Sequence, residues 1–217
     1  MHCKIFLISL ALLLVVITAN CQTKMTEGRI VYTITIVDSN AEESSEKIHI
    51  FPLNYYFKNN KQRLEVAFGP KDSITTLYDQ KTNIETELEI EDSKKTAWNS
   101  TYNDQDTAIE KQIKSSLKYS DKTKVICGYK CKKIEYLVPG DSTTFYVYYT
   151  KELTVHLSYN FFGYFAYLDG FPMEFNMQIY HNYAIFKCSE VSFKTMDDNL
   201  FKIPKGYKIE NLDKKKK

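Results

Sequence analysis

The chain has 217 residues, of which 43% are hydrophobic, 14% aromatic and 26% charged. This length suits one globular domain with its own hydrophobic core. A formal charge of +2 is too small for a nucleic-acid footprint, and 7 glycines with 5 prolines exclude collagen-like and Pro/Gly-rich disordered chains.

The first feature in chain order, residues 1–21, is predicted to be a secretory signal. His2 and Lys4 precede an apolar run over Ile5–Ile17 that only Ser9 interrupts. The run has 13 residues, fewer than the about 20 that a membrane-spanning helix needs. We therefore expect the chain to be exported to the periplasm or cell envelope, where disulfides persist.

Cys21 leaves two modes of processing open. A Cys directly after the apolar run is typical of bacterial lipoproteins, in which it is acylated and anchors the chain to a membrane. The lipoprotein pattern places an aliphatic residue three positions before that Cys and a small residue one position before it, where this chain has Thr18 and Asn20. Ordinary cleavage after Cys21 would instead release a soluble protein that begins at Gln22.

Residues 22–213 are predicted to form a single β-rich domain, followed by the basic tail Lys214–Lys217. Alternating apolar and polar residues indicate strands, and turn residues separate them. Short strands in this arrangement favour an antiparallel sheet over βαβ units, and no Gly-rich strand-to-helix turn suggests a nucleotide site. The predicted strands are Gly28–Val37, Lys47–Lys58 with a break or bulge near Pro52, Gln62–Phe68, Ser73–Asp79, Ile84–Ile90, Lys94–Asn99, Lys124–Cys127, Lys130–Val138, Thr143–Thr150 and Ala184–Phe193, with turns at Asn59-Asn60, Gly69-Pro70, Lys81–Asn83 and Pro139–Ser142.

One helix is predicted over residues 107–119, packed on a face of the sheet. Ile109, Ile113 and Leu117 recur at helical spacing and form one apolar stripe. Thr107, with Glu110 three residues later, forms a capping box at the start of the helix. The fold class is therefore mainly β, with one helix inserted.

The second half of the chain is rich in aromatic residues. Between Tyr136 and Phe186 lie 16 of the 31 aromatic side chains, and the uncharged segment Phe161–Leu168 is the densest part. These rings either fill the core or line an apolar pocket. The candidate lining residues are Tyr146, Tyr148, Phe161, Phe162, Tyr164, Phe165, Tyr167 and Phe171.

Three cysteines follow the predicted signal. In an extended strand Cys127 and Cys131 would have Cα atoms about 13 Å apart, too far for a disulfide unless a tight turn at Gly128 brings them together. Cys131–Cys188 is the favoured pairing and Cys127–Cys188 the next. Zinc would need a fourth ligand, so no metal site is predicted.

No catalytic signature is evident. His49, His156 and His181 are widely separated, and no nucleophile elbow, Walker loop or paired-carboxylate motif occurs. The sequence therefore predicts no enzymatic activity and no cofactor.

Several short motifs, in this order, resemble a known family. They follow an N-terminal Gly-x-Ile-x-Tyr strand that begins at Gly28, and they read VICGYKCKKIEY from Val125, VYYTKEL from Val147, GFPMEF from Gly170 and FKIPKGYK from Phe201. They resemble an uncharacterised family of Gram-negative secreted proteins and lipoproteins in the LolA-like (lipoprotein carrier) and VioE-like half-barrel superfamily. A secreted family named for a Gly-Leu-Pro-Gly-Leu-Ile motif is a close competitor, but the second Gly of that motif is Met173 here.

The resemblance implies a strongly curved antiparallel sheet, an open half-barrel, with helical or loop segments in its concave face. Lipoprotein carriers of this shape shelter acyl chains there, although their site residues have no counterparts that can be matched in this chain. Three functions stay open: binding of a lipid, acyl chain or other apolar ligand; a structural or interaction role with an envelope protein partner and a self-filled concave face; and catalysis. We expect the first.

Overall fold

The structure is a computed structural model that describes residues 23–37, 48–68, 73–91, 94–101, 113–137, 143–155, 165, 168–179 and 182–212. The predicted signal, the basic tail and both predicted domain boundaries lie outside these residues. The same holds for Cys21, for the turns at Gly69-Pro70 and Pro139–Ser142, and for the first part of the predicted helix.

Strands dominate the part of the chain that is described. They confirm the predicted mainly β class, and most strands predicted from alternation recur with similar bounds. The strand predicted at Lys124–Cys127 begins already at Lys118 and ends at Ile126, so Cys127 lies outside it. The strands Thr23–Met25, Leu153–Val155, Phe171–Ile179 and Lys208–Asn211 were not predicted. The strands are β1 Thr23–Met25, β2 Glu27–Val37, β3 Ile48–Lys58, β4 Lys61–Ala67, β5 Ser73–Asp79, β6 Ile84–Glu91, β7 Lys94–Thr101, β8 Lys118–Ile126, β9 Tyr129–Leu137, β10 Thr144–Thr150, β11 Leu153–Val155, β12 Phe171–Ile179, β13 Asn182–Ser192 and β14 Lys208–Asn211.

Twelve of these strands form one open sheet. Its order is β14-β7-β6-β5-β4-β3-β2-β13-β12-β10-β9-β8, so β14 and β8 are its two edges. Every neighbouring pair is antiparallel except β14 and β7, and β1 pairs with β11 in a separate two-stranded parallel sheet. The predicted open antiparallel architecture is therefore confirmed.

The helix ends earlier than the sequence predicts. Residues 113–116 are helical, whereas Lys118 and Tyr119 belong to β8, where they pair with Glu135 and Ile134. The predicted helix to Tyr119 is wrong at this end, because two strand pairings replace the last helical turn.

Pro52 does not interrupt β3. The ladder between β2 and β3 runs without a register shift from Val37 to Glu27, and Pro52 lies opposite Thr33. The predicted break or bulge is therefore absent. Pairing between β3 and β4 begins only at Leu53, so Pro52 is paired with a neighbouring strand on one side only. A strand tolerates proline at such a position, because no hydrogen bond from its nitrogen is needed on the unpaired side.

Alternate residues of the central strands form one apolar face of the sheet, which we call the inner face. Ile30 and Tyr32 of β2 are fully buried there. Tyr55 lies opposite Ile30, and Leu53 lies opposite Tyr32. Ile113, from the helical residues, is buried in the same core. Removal of these apolar side chains from water stabilises the fold by about 25 cal/mol per Å².

The C-terminal segment covers part of the opposite, outer face. Leu77, Leu88 and Ala97 form a second small core there, against which Ile203 and Tyr207 pack. The guanidinium of Arg63 donates to the carbonyl of Leu200 at 3.0 Å, and the ammonium of Lys58 donates to that of Met196 at 2.8 Å. A half-open cavity of about 190 Å³ lies beside this segment, between β5, β6 and Phe201.

Candidate functional site

The inner face carries a tightly packed aromatic cluster centred on Phe175. The Phe175 ring stacks on Phe186 with centroids 4.7 Å apart and meets Phe165 edge-on at 4.8 Å. Phe165 also meets Tyr136 at 6.1 Å, and Tyr136 stacks on Phe145 at 5.7 Å. Such offset and edge-to-face contacts are those that aromatic rings prefer in cores.

Two tyrosines of this core are held by backbone carbonyls. The hydroxyl of Tyr32 donates to the carbonyl of Pro172 at 2.6 Å, and that of Tyr136 donates to the carbonyl of Asn176 at 3.4 Å. Burial raises the pKa of Tyr32 well above its ordinary value, and it does the same for Tyr55. Both phenols are therefore neutral at physiological pH, which suits a structural role and not a general-base role.

The four predicted lining residues that the structure describes do not lie on one surface. Phe165 and Phe171 are buried in the inner core. Tyr146 and Tyr148 alternate with the buried Val147, so they lie on the outer face of β10. Phe161, Phe162, Tyr164 and Tyr167 lie outside the described residues. The four described residues are therefore divided between the two faces of the sheet, and the lining as a whole stays a prediction.

The outer-face tyrosines belong to a network of ion pairs. The ammonium of Lys124 lies 2.6 Å and 2.7 Å from the two carboxylate oxygens of Glu174, and it lies 5.3 Å from the Tyr148 ring centroid. Lys133 repeats the arrangement, 2.6 Å from Glu135 and 5.3 Å from the Tyr146 ring centroid. The hydrogen bond from Lys133 lowers the pKa of Glu135 below its ordinary value. Charges paired in this way favour a structural role for this surface.

The inner face also carries an apolar surface that was not predicted from the sequence. We call it the apolar strip and define it as Phe51, Phe68 and Ile74. Ile74 lies opposite Val66, and Val66 opposite Leu53, so the strip shares a face with the buried core. The Phe51 and Phe68 rings meet edge-on at 5.1 Å. Phe68 is nevertheless 44% exposed and Ile74 43% exposed. Alternation along Gln62–Phe68 predicts that Phe68 shares a face with Leu64 and Val66, but it could not show that this part of the face is open.

Polar groups flank the apolar strip. The imidazole of His49 stacks on Phe51 with centroids 6.0 Å apart. On the next strand beyond Ile74, Glu87 lies opposite Thr76, and Glu89 accepts a hydrogen bond of 2.6 Å from the indole of Trp98. The inner face thus changes from apolar on β4 and β5 to acidic on β6.

The described residues contain no group of three or more His, Cys, Asp and Glu side chains that could hold a metal ion. Within the same ranges, no helix is long and apolar enough to cross a membrane. The absence of enzymatic activity stays a prediction, because His156 and His181 lie outside these ranges.

Two of the three described cysteine sulfurs are in contact in the structure. The three cysteines within the described ranges, Cys127, Cys131 and Cys188, are all free thiols. The Sγ atoms of Cys127 and Cys188 are 3.6 Å apart. Cys131 donates its S–H to the carbonyl of Tyr129 at 3.4 Å. The Cys131–Cys188 disulfide stays a prediction, and the geometry favours its alternative, Cys127–Cys188.

Comparisons with known proteins leave the family open. No family model matches the chain, and no curated protein matches it. Two structures of PNGF-II are similar, in space group C2 at 18% identity and a TM-score of 0.48, and in space group P21 at 17% and 0.49. They cover 85% and 88% of this chain but 30% and 33% of PNGF-II, so the chain spans about a third of that protein.

A third structure, LprF from Mycobacterium bovis, is 7% identical with a TM-score of 0.36, over 84% of this chain and 90% of LprF. At TM-scores below 0.5 these similarities assign neither a family nor an activity to this chain.

Proposed function

We propose that this chain is a non-enzymatic protein of the cell envelope that binds the acyl chain of a lipid at the apolar strip. The observation that carries the proposal is the exposure of Phe68 and Ile74 on the face that elsewhere forms the core. Exposed apolar side chains that continue a buried core mark a binding surface more often than isolated ones do.

The shape of the apolar strip suits an extended apolar ligand. Phe51 and Ile74 belong to β3 and β5, and Phe68 directly follows β4 between them, so the strip extends over two strand spacings, about 10 Å. Phe51 packs directly against the main core, so the ligand would contact a rigid surface. Each methylene of the ligand that is buried against this surface contributes about 0.8 kcal/mol to the binding free energy. Affinity should therefore rise about fourfold with each added methylene until the strip is covered.

The neighbouring charges favour one class of lipid headgroup. Glu87 and Glu89 lie on β6, the strand beyond Ile74, and both are exposed on the same face as the apolar strip. Carboxylates at this position repel an anionic headgroup and attract an ammonium. We therefore expect a zwitterionic ethanolamine lipid to bind more tightly than a glycerol lipid with the same acyl chain.

The second candidate is an interaction role with an envelope protein partner. It is favoured by Phe165, whose ring closes the aromatic cluster against Phe175, so the described core is filled by the chain itself. In that case the apolar strip would dock a protein, and the length of an acyl chain would not affect binding.

The test is a titration of the full chain with lysophosphatidylethanolamines of increasing acyl length, read by native mass spectrometry and by tryptophan fluorescence. Phe68→Glu places a charge in the apolar strip. The matched control is Ile50→Glu, because Ile50 is 64% exposed and neighbours Phe51 but faces outward. We expect Phe68→Glu to weaken binding more than tenfold and Ile50→Glu to leave it unchanged.

Equal losses in the two variants would overturn the assignment of the site. No binding by the wild-type chain at any acyl length would overturn the lipid proposal and leave the interaction role. A lysophosphatidylglycerol series at matched lengths tests the headgroup preference separately.

A further inference from the structure

Three thiols from distant parts of the sequence meet at one end of the inner core. Cys127 lies in the two-residue turn between β8 and β9, Cys188 is buried in β13, and Cys131 is buried in β9. The Sγ of Cys127 is 3.6 Å from that of Cys188 and 3.3 Å from the carbonyl oxygen of Cys188. These residues take no part in the proposed lipid site.

The backbone of the turn directs Cys127 towards β13. Cys127 has φ +49° and Gly128 has φ +84°, the pair of positive angles that a type I′ hairpin turn requires. The first position of such turns strongly prefers Asn, Asp or Gly, and left-handed backbone is uncommon for other residues. A cysteine is held here in a conformation that brings its sulfur to a second thiol.

We propose that Cys127 and Cys188 are the site of an oxidative cross-link, and that Cys131 stays a thiol. The two sulfurs are in contact at 3.6 Å, and a disulfide requires them to approach to about 2.05 Å. Cys131 is turned to its own strand, where it donates to the carbonyl of Tyr129. Burial raises the pKa of both Cys131 and Cys188, so contact with the Cys127 sulfur, and not thiolate fraction, selects Cys188 as the partner.

The exposure of the two partners sets the order of the chemistry. The oxidant is a disulfide, R–S–S–R, that reacts by thiol–disulfide exchange. Cys127 is exposed, so it reacts with this oxidant first. Its thiolate attacks one sulfur to give a mixed disulfide and releases one R–S⁻. The Cys188 thiolate then attacks the Cys127 sulfur and releases the second R–S⁻. The two protons lost by the cysteines end on these leaving groups, so two thiols are oxidised and R–S–S–R is reduced to two R–SH.

The cross-link would join an edge of the sheet to its middle. In the strand order, β8 is four positions from β13, with β9, β10 and β12 between them. The β8–β9 hairpin is also held to the sheet by the pairing of β9 with β10 and by the ion pair of Lys124 with Glu174. A bond from Cys127 to Cys188 therefore fixes the free end of this hairpin over the inner core.

The sequence allows the pairing to be read directly. Lys130 separates Cys127 from Cys131, so trypsin places Cys127 in the peptide 125–130 and Cys131 in 131–132, while Cys188 falls in 188–194. The full chain is incubated with oxidised glutathione, its remaining thiols are alkylated, and it is digested with trypsin at slightly acidic pH without reductant. We expect a linked 125–130/188–194 peptide and an alkylated Cys131.

Two variants extend the test. Cys131→Ser should keep the linked peptide, and Cys127→Ser should lose it. A reductant should lower the Tm of the wild-type chain and of Cys131→Ser by several degrees but leave that of Cys127→Ser unchanged. A linked 131–132/188–194 peptide, or full alkylation of both Cys127 and Cys188 after oxidation, would overturn the proposal, and neither result depends on a variant.

Discussion

The ring of Phe165 meets the ring of Phe175 edge-on, with centroids 4.8 Å apart. Phe175 belongs to β12, whereas Phe165 precedes that strand in the chain. Phe165 also contacts Tyr136 from β9. One side chain outside the strands thus bridges two of them on the inner face. This contact makes the aromatic cluster a filled core instead of an open cavity.

Phe165 should therefore be a major contributor to stability. Phe165→Ala is expected to lower the free energy of unfolding by about 3–4 kcal/mol, because it removes a buried ring and leaves a cavity. Phe165→Leu, which keeps most of the volume, should cost about half as much. Urea unfolding of both variants measures the difference. A loss below about 1 kcal/mol for Phe165→Ala would show that the ring can leave the core at little cost, which would support an openable pocket.

Gly170 is expected to tolerate no side chain. An added Cβ would lie 2.5 Å from the carbonyl oxygen of Thr150 and 2.7 Å from the Tyr149 ring, at a φ of +154°. Gly170→Ala must therefore displace β10 or β12 and should lower the free energy of unfolding by about 2–4 kcal/mol. Gly206→Ala is the matched control, because Gly206 has φ +90° but no atom within 4 Å of an added Cβ. Gly206→Ala should lower the free energy of unfolding only by the backbone strain, about 1 kcal/mol. Thermal unfolding compares the two, and equal losses would exclude a steric origin.

The alternation of side chains predicted the central strands well, because each of them has one buried face and one wetter face. β2 is the clearest case, with Ile30 and Tyr32 inward and Arg29 outward. β12 was not predicted as a strand, although Phe171, Met173 and Phe175 alternate there with Pro172, Glu174 and Asn176; what the sequence does not show is that residues 171–176 are all buried. In such a strand neighbouring elements cover both faces, and that covering is invisible in a local pattern.

The candidate site could be predicted only in part. The inward direction of Phe51 and Phe68 follows from period-two alternation, but their exposure depends on what the rest of the chain places over them. The sequence also grouped Tyr146 and Tyr148 with Phe171 by proximity along the chain, whereas the sheet separates them onto opposite faces. The contact between Cys127 and Cys188 spans 61 residues, so only the tertiary fold decides which cysteine reaches β13.

The ion pair of Lys124 with Glu174 should matter more than a surface pair. The side chain of Glu174 is only 8% exposed, so its carboxylate depends on this ammonium. Lys124→Met is expected to cost about 1–3 kcal/mol, a value reduced for the partial exposure of Lys124. Adding Glu174→Gln to Lys124→Met should recover part of that loss, because the double variant no longer buries an unpaired charge. A double-mutant cycle measured in urea tests this, and strict additivity of the two single losses would contradict it.

The pair of Lys133 with Glu135 predicts a pH-dependent contribution. The hydrogen bond from Lys133 lowers the pKa of Glu135 below its ordinary value of 4.5. A carboxyl whose pKa is lower in the folded state stabilises that state fully above the unfolded pKa and loses this contribution as the pH falls through the folded pKa. Lys133→Met should thus be less stable than the wild type at pH 6, and the difference should shrink as the pH falls below about 4.

The control for this prediction is Lys132→Met, since Lys132 is the exposed neighbour of Lys133 on β9. Its difference from the wild type should stay constant over the same pH range, because Lys132 does not hold the Glu135 carboxylate. Urea midpoints measured at several pH values distinguish the two. A Lys133→Met difference that persists unchanged at low pH would assign the effect of Lys133 to its packing over the Tyr146 ring, because that contact does not require an ionised carboxylate.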